Sequence, residues 1–223
     1  VVDPACDLET CEKTLELSSK YDFVYSAVGI HPHSAESDGN GDWLEKIREF
    51  AKNKKVVAIG EIGLDYHYDF SPREKQKEVF AAQLALANEL DLPIIFHDRE
   101  SHEDTLNILK KYKPKGVLHC FSGSVEMAKE IIKLGMYIGL GGAVTFKNAR
   151  KPVEVAEYLP PDRLLLETDA PYMTPHPFRG QTNYPKLIKY TYQKMAEVLG
   201  VSFEALEQQV KKNTFALFKR TNI

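Results

Sequence analysis

No apolar run in this chain approaches the ~20 residues needed to cross a bilayer, so a helical membrane-spanning protein is not expected. Cysteine is scarce and odd in number: Cys6, Cys11 and Cys120 have no metal-finger spacing. That argues against a disulfide framework and for reduced thiols in the cytoplasm. No sign of charge dominates. Lys and Arg number 29 against 32 Asp and Glu, a net charge of −3, which supplies no global attraction to nucleic acid. Any contact with nucleic acid would use a local basic patch. Repeats, low-complexity segments and linkers are missing, and so is the glycine-rich strand-to-helix fingerprint of a dinucleotide crevice. Residue 1 is Val rather than Met, and the first residues do not resemble a signal peptide.

The 223 residues, 43% of them apolar, suffice to bury ~70% of the unfolded chain's surface. Short apolar runs alternate with helical stretches. Strands are expected at Val1-Val2 (a remnant), Phe23–Val28, near Val56, Ile94 and Val117, at Met136–Leu140 and at Leu164–Glu167. Helices are expected at Leu8–Lys20, Asp42–Asn53 with Asp42 as cap, after Ser71, after Ser101, at Val125–Leu134, Arg150–Tyr158, Pro185–Leu199 and Ser202–Phe218. Ser71-Pro72-Arg73-Glu74 has the pattern of a capping box. Apolar strands separated by helices imply a parallel sheet with crossover helices. The count of seven strands predicts an α/β TIM (β/α)8 barrel, incomplete at the N-terminus. Its first strand would lie before residue 1, and residues 1–223 would form a single domain.

Four runs lead into residues that can hold a metal: Val56–Gly60 into Glu61, Pro93–Phe96 into His97, Gly116–Leu118 into His119, and Leu164–Thr168 into Asp169. Parallel strands end on the same side, so two carboxylates and two imidazoles are expected to converge at the barrel's C-terminal face. A buried carboxylate without a partner costs several kcal/mol, and a cation removes that cost. Mixed His and carboxylate donors suit Zn²⁺, Mn²⁺ or Fe²⁺, and Mg²⁺ less well. Asp169 is either a ligand or a general base for the attacking water. Glu61 has two oxygens with which to bridge two ions.

Other residues fall near these strand ends. His31 and His33 are candidates for a ligand or a phosphate donor, against a Pro-stiffened solvated loop. Arg99 and Arg179 suit bidentate phosphate contact, against a surface ion pair. Asp65 either orients a ligand or caps a turn. Tyr66, Phe121, Phe146 and Tyr172 can stack on bases or fill the core. Strand alternation points Glu167 away from the neighbours of Asp169, which makes it structural or a support behind a ligand.

Six segments resemble, in order, the TatD family of metal-dependent deoxyribonucleases. These are Gly29-Ile30-His31-Pro32-His33, Ile59-Gly60-Glu61-Ile62-Gly63-Leu64-Asp65-Tyr66, Pro93-Ile94-Ile95-Phe96-His97-Asp98-Arg99, Leu118-His119-Cys120-Phe121-Ser122-Gly123, Leu164-Leu165-Leu166-Glu167-Thr168-Asp169-Ala170-Pro171-Tyr172, and Arg179-Gly180 with Asn183 and Pro185. The resemblance implies a TIM barrel with two divalent ions (Mg, Mn or Zn) and hydrolysis of DNA phosphodiesters, often exonucleolytic. It implies Glu61, His97, His119 and Asp169 as ligands, with Asp169 and Glu61 serving the activated water. His33, Arg99 and Arg179 would contact substrate. DNA is the expected partner of a cytoplasmic monomer with no membrane attachment. The family's His-x-His pair at the end of its first strand is missing from this chain, so a form short of two ligands, with impaired activity, is expected. The competing reading is an amidohydrolase-type barrel acting on amides or lactones. Glu61 stands where many such enzymes place a modified lysine, which favours the nuclease.

Overall fold

The computed structural model describes residues 1–221. The described residues divide into two compact units, residues 1–117 with 217–221, and residues 118–216.

The first unit is built on parallel strands β1 (Val2–Pro4), β2 (Tyr25–Val28), β3 (Val56–Asp65) and β4 (Ile94–Arg99), each paired with the next. β5 (Gly116–Leu118) starts here, beside β4, where the Ile94 N–H donates to the Lys115 carbonyl at 2.8 Å. The crossovers are α1 (Leu8–Lys20), the short α2 (Ala35–Asp38), α3 (Trp43–Phe50), α4 (Arg73–Glu89) and α5 (His102–Tyr112). Val56, Val57, Ala58 and Ile59 of β3 are fully buried with Ile94 and Phe96 of β4. This is the continuous apolar pattern of strands covered on both faces.

The second unit takes the end of β5, then α6 (Val125–Lys133), β6 (Tyr137–Leu140), α7 (Arg150–Tyr158), β7 (Leu164–Leu166), α8 (Ile188–Leu199) and α9 (Phe203–Leu217). β6 and β7 pair in parallel. The segment after β5 pairs with β6 where the Phe121 N–H donates to the Gly139 carbonyl at 3.0 Å. Among the described residues no helix is long and apolar enough to cross a membrane.

All seven expected strands are present; the boundaries differ where side chains have other work. Ser71 does not cap α4. Its hydroxyl donates to the His33 carbonyl and accepts from the Glu36 N–H, both at 3.0 Å. A buried hydroxyl facing two backbone groups of another segment satisfies those first. Asp42 precedes α3 without a capping bond and pairs with Lys46. Ser124 does cap α6, accepting from the Met127 N–H.

α4 carries two buried glutamines, Gln76 and Gln83, among its apolar residues. Gln83 accepts from the Ile30 N–H at 2.7 Å and donates to the Ile30 carbonyl at 3.0 Å. Gln76 accepts from the Asp65 N–H at 2.9 Å and donates to the Asp65 carbonyl at 3.1 Å. Each primary amide satisfies one residue's backbone as a neighbouring strand would. One helix thereby fixes the exits of both β2 and β3, where the candidate site residues stand.

Candidate metal centre

Glu61 lies within β3 rather than beyond its end. Ile59 pairs with Ile94 and Ile62 with Phe96, so β3 carries one more residue than β4 over this stretch. The extra residue is a β-bulge, which re-aims a side chain out of strand alternation. Glu61 is half-buried while its neighbours Gly60 and Ile62 are fully buried. Two residues on, Gly63 pairs with His97. A Cβ on Gly63 would stand 2.0 Å from the His97 carbonyl oxygen, and its φ is +136°. Only glycine satisfies both conditions, so the two strands can approach closely behind the site.

His31, Glu61 and His97 each bring one donor atom into a group whose members all lie within 4.8 Å of one another. The Oε1 of Glu61 is 3.2 Å from Nε2 of His31 and 3.4 Å from Nδ1 of His97. The surrounding hydrogen bonds assign different roles to the two imidazoles. Nε2 of His97 donates to Oδ2 of Asp65 at 3.0 Å, leaving the Nδ1 lone pair turned to Glu61. Nδ1 of His31 accepts the His33 N–H at 3.2 Å, so Nε2 carries the proton and donates to Glu61. Burial holds the His31 pKa below its ordinary value against the pull of Glu61, consistent with a neutral donor. Glu61 and His97 therefore fit a divalent cation, through one carboxylate and one imidazole held by a carboxylate behind it. His31 orients Glu61.

Asp65 is fully buried. Burial by itself would raise its pKa. Hydrogen bonds from His97, the Tyr68 N–H and His33 outweigh burial and hold the carboxyl well below the usual carboxylate range. Its Oδ2 also accepts Nε2 of His33 at 2.9 Å. Nδ1 of His33 then keeps its lone pair. Arg99 ends β4, paired with Asp65 in register. Its guanidinium lies over the Tyr68 ring, 4.8 Å from the centroid.

The second unit gathers the other two expected ligands. His119 follows β5 directly, and Asp169 stands three residues beyond β7. Cys120 links them: its thiol lies 3.7 Å from Oδ2 of Asp169. Glu167 does not point away as strand alternation suggests. β7 ends at Leu166, so alternation no longer applies, and Oε1 of Glu167 accepts the Cys120 N–H at 2.5 Å and lies 3.7 Å from Nδ1 of His119. Arg179 stacks on Phe146 at 3.8 Å from the ring centroid and donates to the Thr174 carbonyl. Phe146 is thus covered by a guanidinium. Of the other aromatic candidates, Phe121 is core, Tyr66 is engaged by Asp104 at 2.6 Å and by Arg73, and Tyr172 is exposed.

A parallel α/β chain with a histidine–carboxylate cluster of this chemistry belongs to the class of metal-dependent hydrolases. The chain is a member of the TatD related DNase family, whose family model matches residues 1–219. It is 47% identical over 216 residues to YabD of Bacillus subtilis, described as an uncharacterized metal-dependent hydrolase; the match covers 96% of this chain and 84% of that protein. It is 38% identical over 207 residues to a protein of Pantoea ananatis named 3'-5' ssDNA/RNA exonuclease TatD, covering 88% of this chain and 78% of the relative. The crystal structure of YjjV, a TatD homologue from Escherichia coli K12, matches with a TM-score of 0.90 at 36% identity, over 98% of this chain and 85% of that one. The fold is thus the TIM-type α/β fold of TatD proteins.

Proposed function

We propose that the chain hydrolyses DNA phosphodiester bonds, removing nucleotides from a strand end. The observation that supports this most is the pairing of a re-aimed Glu61 with a His97 whose free nitrogen is set by a buried, charged Asp65. A cluster built to keep one imidazole lone pair available suits a cation, and the family offers phosphodiester hydrolysis as the reaction. The exonuclease name of the Pantoea ananatis relative supports the choice of substrate over amides or lactones.

Glu61 and His97, with His119 and Asp169 by their place in the family motifs, are the proposed ligands of two divalent ions, Mg²⁺, Mn²⁺ or Zn²⁺. Such ions, when bound, lower the pKa of water and neutralise the phosphate's charge. Asp169 would accept the proton of the attacking water, and Glu61 would hold the ions that activate it. His33, Arg99 and Arg179 contact the substrate, the two guanidiniums through its phosphates. The protein acts as a monomer in the cytoplasm, on DNA and without membrane attachment.

The test is cleavage of end-labelled oligonucleotides with Mn²⁺ or Mg²⁺. Chelation should abolish it, as should His97→Ala and Asp169→Ala, with the unfolding transition retained in both variants. Cleavage that survives these changes, or hydrolysis of lactone or amide substrates with DNA left intact, would overturn the proposal.

A further inference from the structure

The loop from Tyr66 to Pro72, between β3 and α4, exposes two aromatic rings beside the metal cluster. Phe70 is 66% exposed and Tyr68 48%. The rings stack on each other, centroids 5.2 Å apart and planes within 19°. Exposed aromatics on a soluble protein forgo the gain of burial, and a pair of them marks a contact surface. This pair is also held in place. Oδ1 of Asp65 accepts the N–H groups of His67 at 3.0 Å and Tyr68 at 2.9 Å, and Ser71 ties the far end of the loop to the His33 carbonyl. The His33 ring packs edge-on against both rings, at 5.4 Å from Tyr68 and 4.9 Å from Phe70. The Arg99 guanidinium lies over Tyr68, and among the described residues no carboxylate pairs with it.

We propose that Phe70, backed by the Tyr68 ring stacked on it, offers its outer face as a stacking platform for a nucleobase at the end of a single strand, with Arg99 beside it to meet the adjoining phosphate. The inference rests on the nuclease reading and narrows it. A nucleobase has a flat π face and a phosphate one bond system away. The surface offers a matching flat ring and a cation, on a loop whose other contact is the His33 imidazole, which shares the Asp65 carboxylate with His97. Every base has such a face, so the platform admits any sequence. A paired terminus stacks its bases on its own duplex, so single-stranded ends are preferred. Asp65 ties recognition to chemistry: one carboxylate oxygen fixes the aromatic loop, and the other fixes His33 and His97.

Binding and cleavage separate this inference from the reading beneath it. Fluorescence anisotropy would follow labelled phosphorothioate-linked 5-mers, which resist hydrolysis. One series carries thymine throughout, and the other has an abasic unit at the end. The unaltered chain should bind the thymine strand more tightly than the abasic one. Phe70→Ala and Tyr68→Ala should shrink that ratio, by roughly 5- to 150-fold for the loss of one base stack. Phe70→Trp should keep the discrimination and Phe70→Leu should lose it, which bulk alone would not do. Equal binding of the two strands by the unaltered chain, or discrimination that survives in Phe70→Ala and Tyr68→Ala, overturns the platform. Cleavage of ordinary oligonucleotides is scored separately. Base-dependent binding without any cleavage would remove the nuclease reading and keep the platform.

Discussion

Nε2 of His97 donates to Oδ2 of Asp65 at 3.0 Å, and this one bond fixes which imidazole nitrogen faces Glu61. Asp65→Asn keeps an oxygen for the N–H groups of His67 and Tyr68, but removes the charge that holds the His97 tautomer. Metal affinity should fall roughly 10- to 100-fold, the usual effect of losing such a partner. Calorimetric titration with Mn²⁺ reads this directly, and an unchanged affinity would show that Asp65 serves the loop alone.

Gln83→Leu fills similar space and leaves the Ile30 N–H and carbonyl without their partners. Each buried orphan costs about 1–3 kcal/mol. Denaturant unfolding should show a lowered midpoint with an unchanged slope. Gln83→Glu restores the acceptor for the Ile30 N–H only, and should recover part of the loss at most.

Gly63→Ala meets the His97 carbonyl oxygen at 2.0 Å and a φ of +136°. β3 and β4 must move apart, so both stability and metal affinity should drop. A crystal structure of the variant should show His97 displaced from Glu61; an undisturbed His97 with normal stability would contradict the close-approach argument.

Burial pushes the Cys11 thiol up to about 12 from 9.0, whereas Cys6 is exposed. Iodoacetamide at pH 8 should label Cys6 in the native chain and spare Cys11, read by peptide mass. In the unfolded chain the Cys11 thiol loses its proton near 9, while the native chain holds it. The unfolded state therefore gains as pH rises from 9 towards 12, and Cys11 contributes a fall in stability over that window. Cys11→Ala should flatten that alkaline slope, whatever it does to stability at pH 7.

The seven strands and most helices were legible because buried parallel strands read as short apolar runs, and α1, α6 and α7 carry amphipathic spacing with clear ends. Glu61, His97, His119 and Asp169 stood out because a charged or imidazole side chain at the end of such a run has to be explained. Arrangements that depend on contact between distant segments could not be read in this way. The sequence shows Gly60-Glu61 but not the bulge, since a bulge is a mismatch in length against a partner strand. It shows Ser71-Pro72-Arg73-Glu74 as a capping box, yet Ser71 bonds to residues some 35 positions away. It leaves His31, Asp65 and Glu167 open to several roles, because a side chain's role follows from which atoms meet it.

Local chemistry and periodicity in the chain alone determined the order of strands and helices, the apolar content of the core and the supply of metal-binding atoms. Only tertiary structure decided which nitrogen of each histidine is available, which carboxylate is held ionised, and that two exposed aromatic rings stand beside them. Hydrogen bonds between segments far apart in the chain set those outcomes, and such bonds have no signature in sequence spacing.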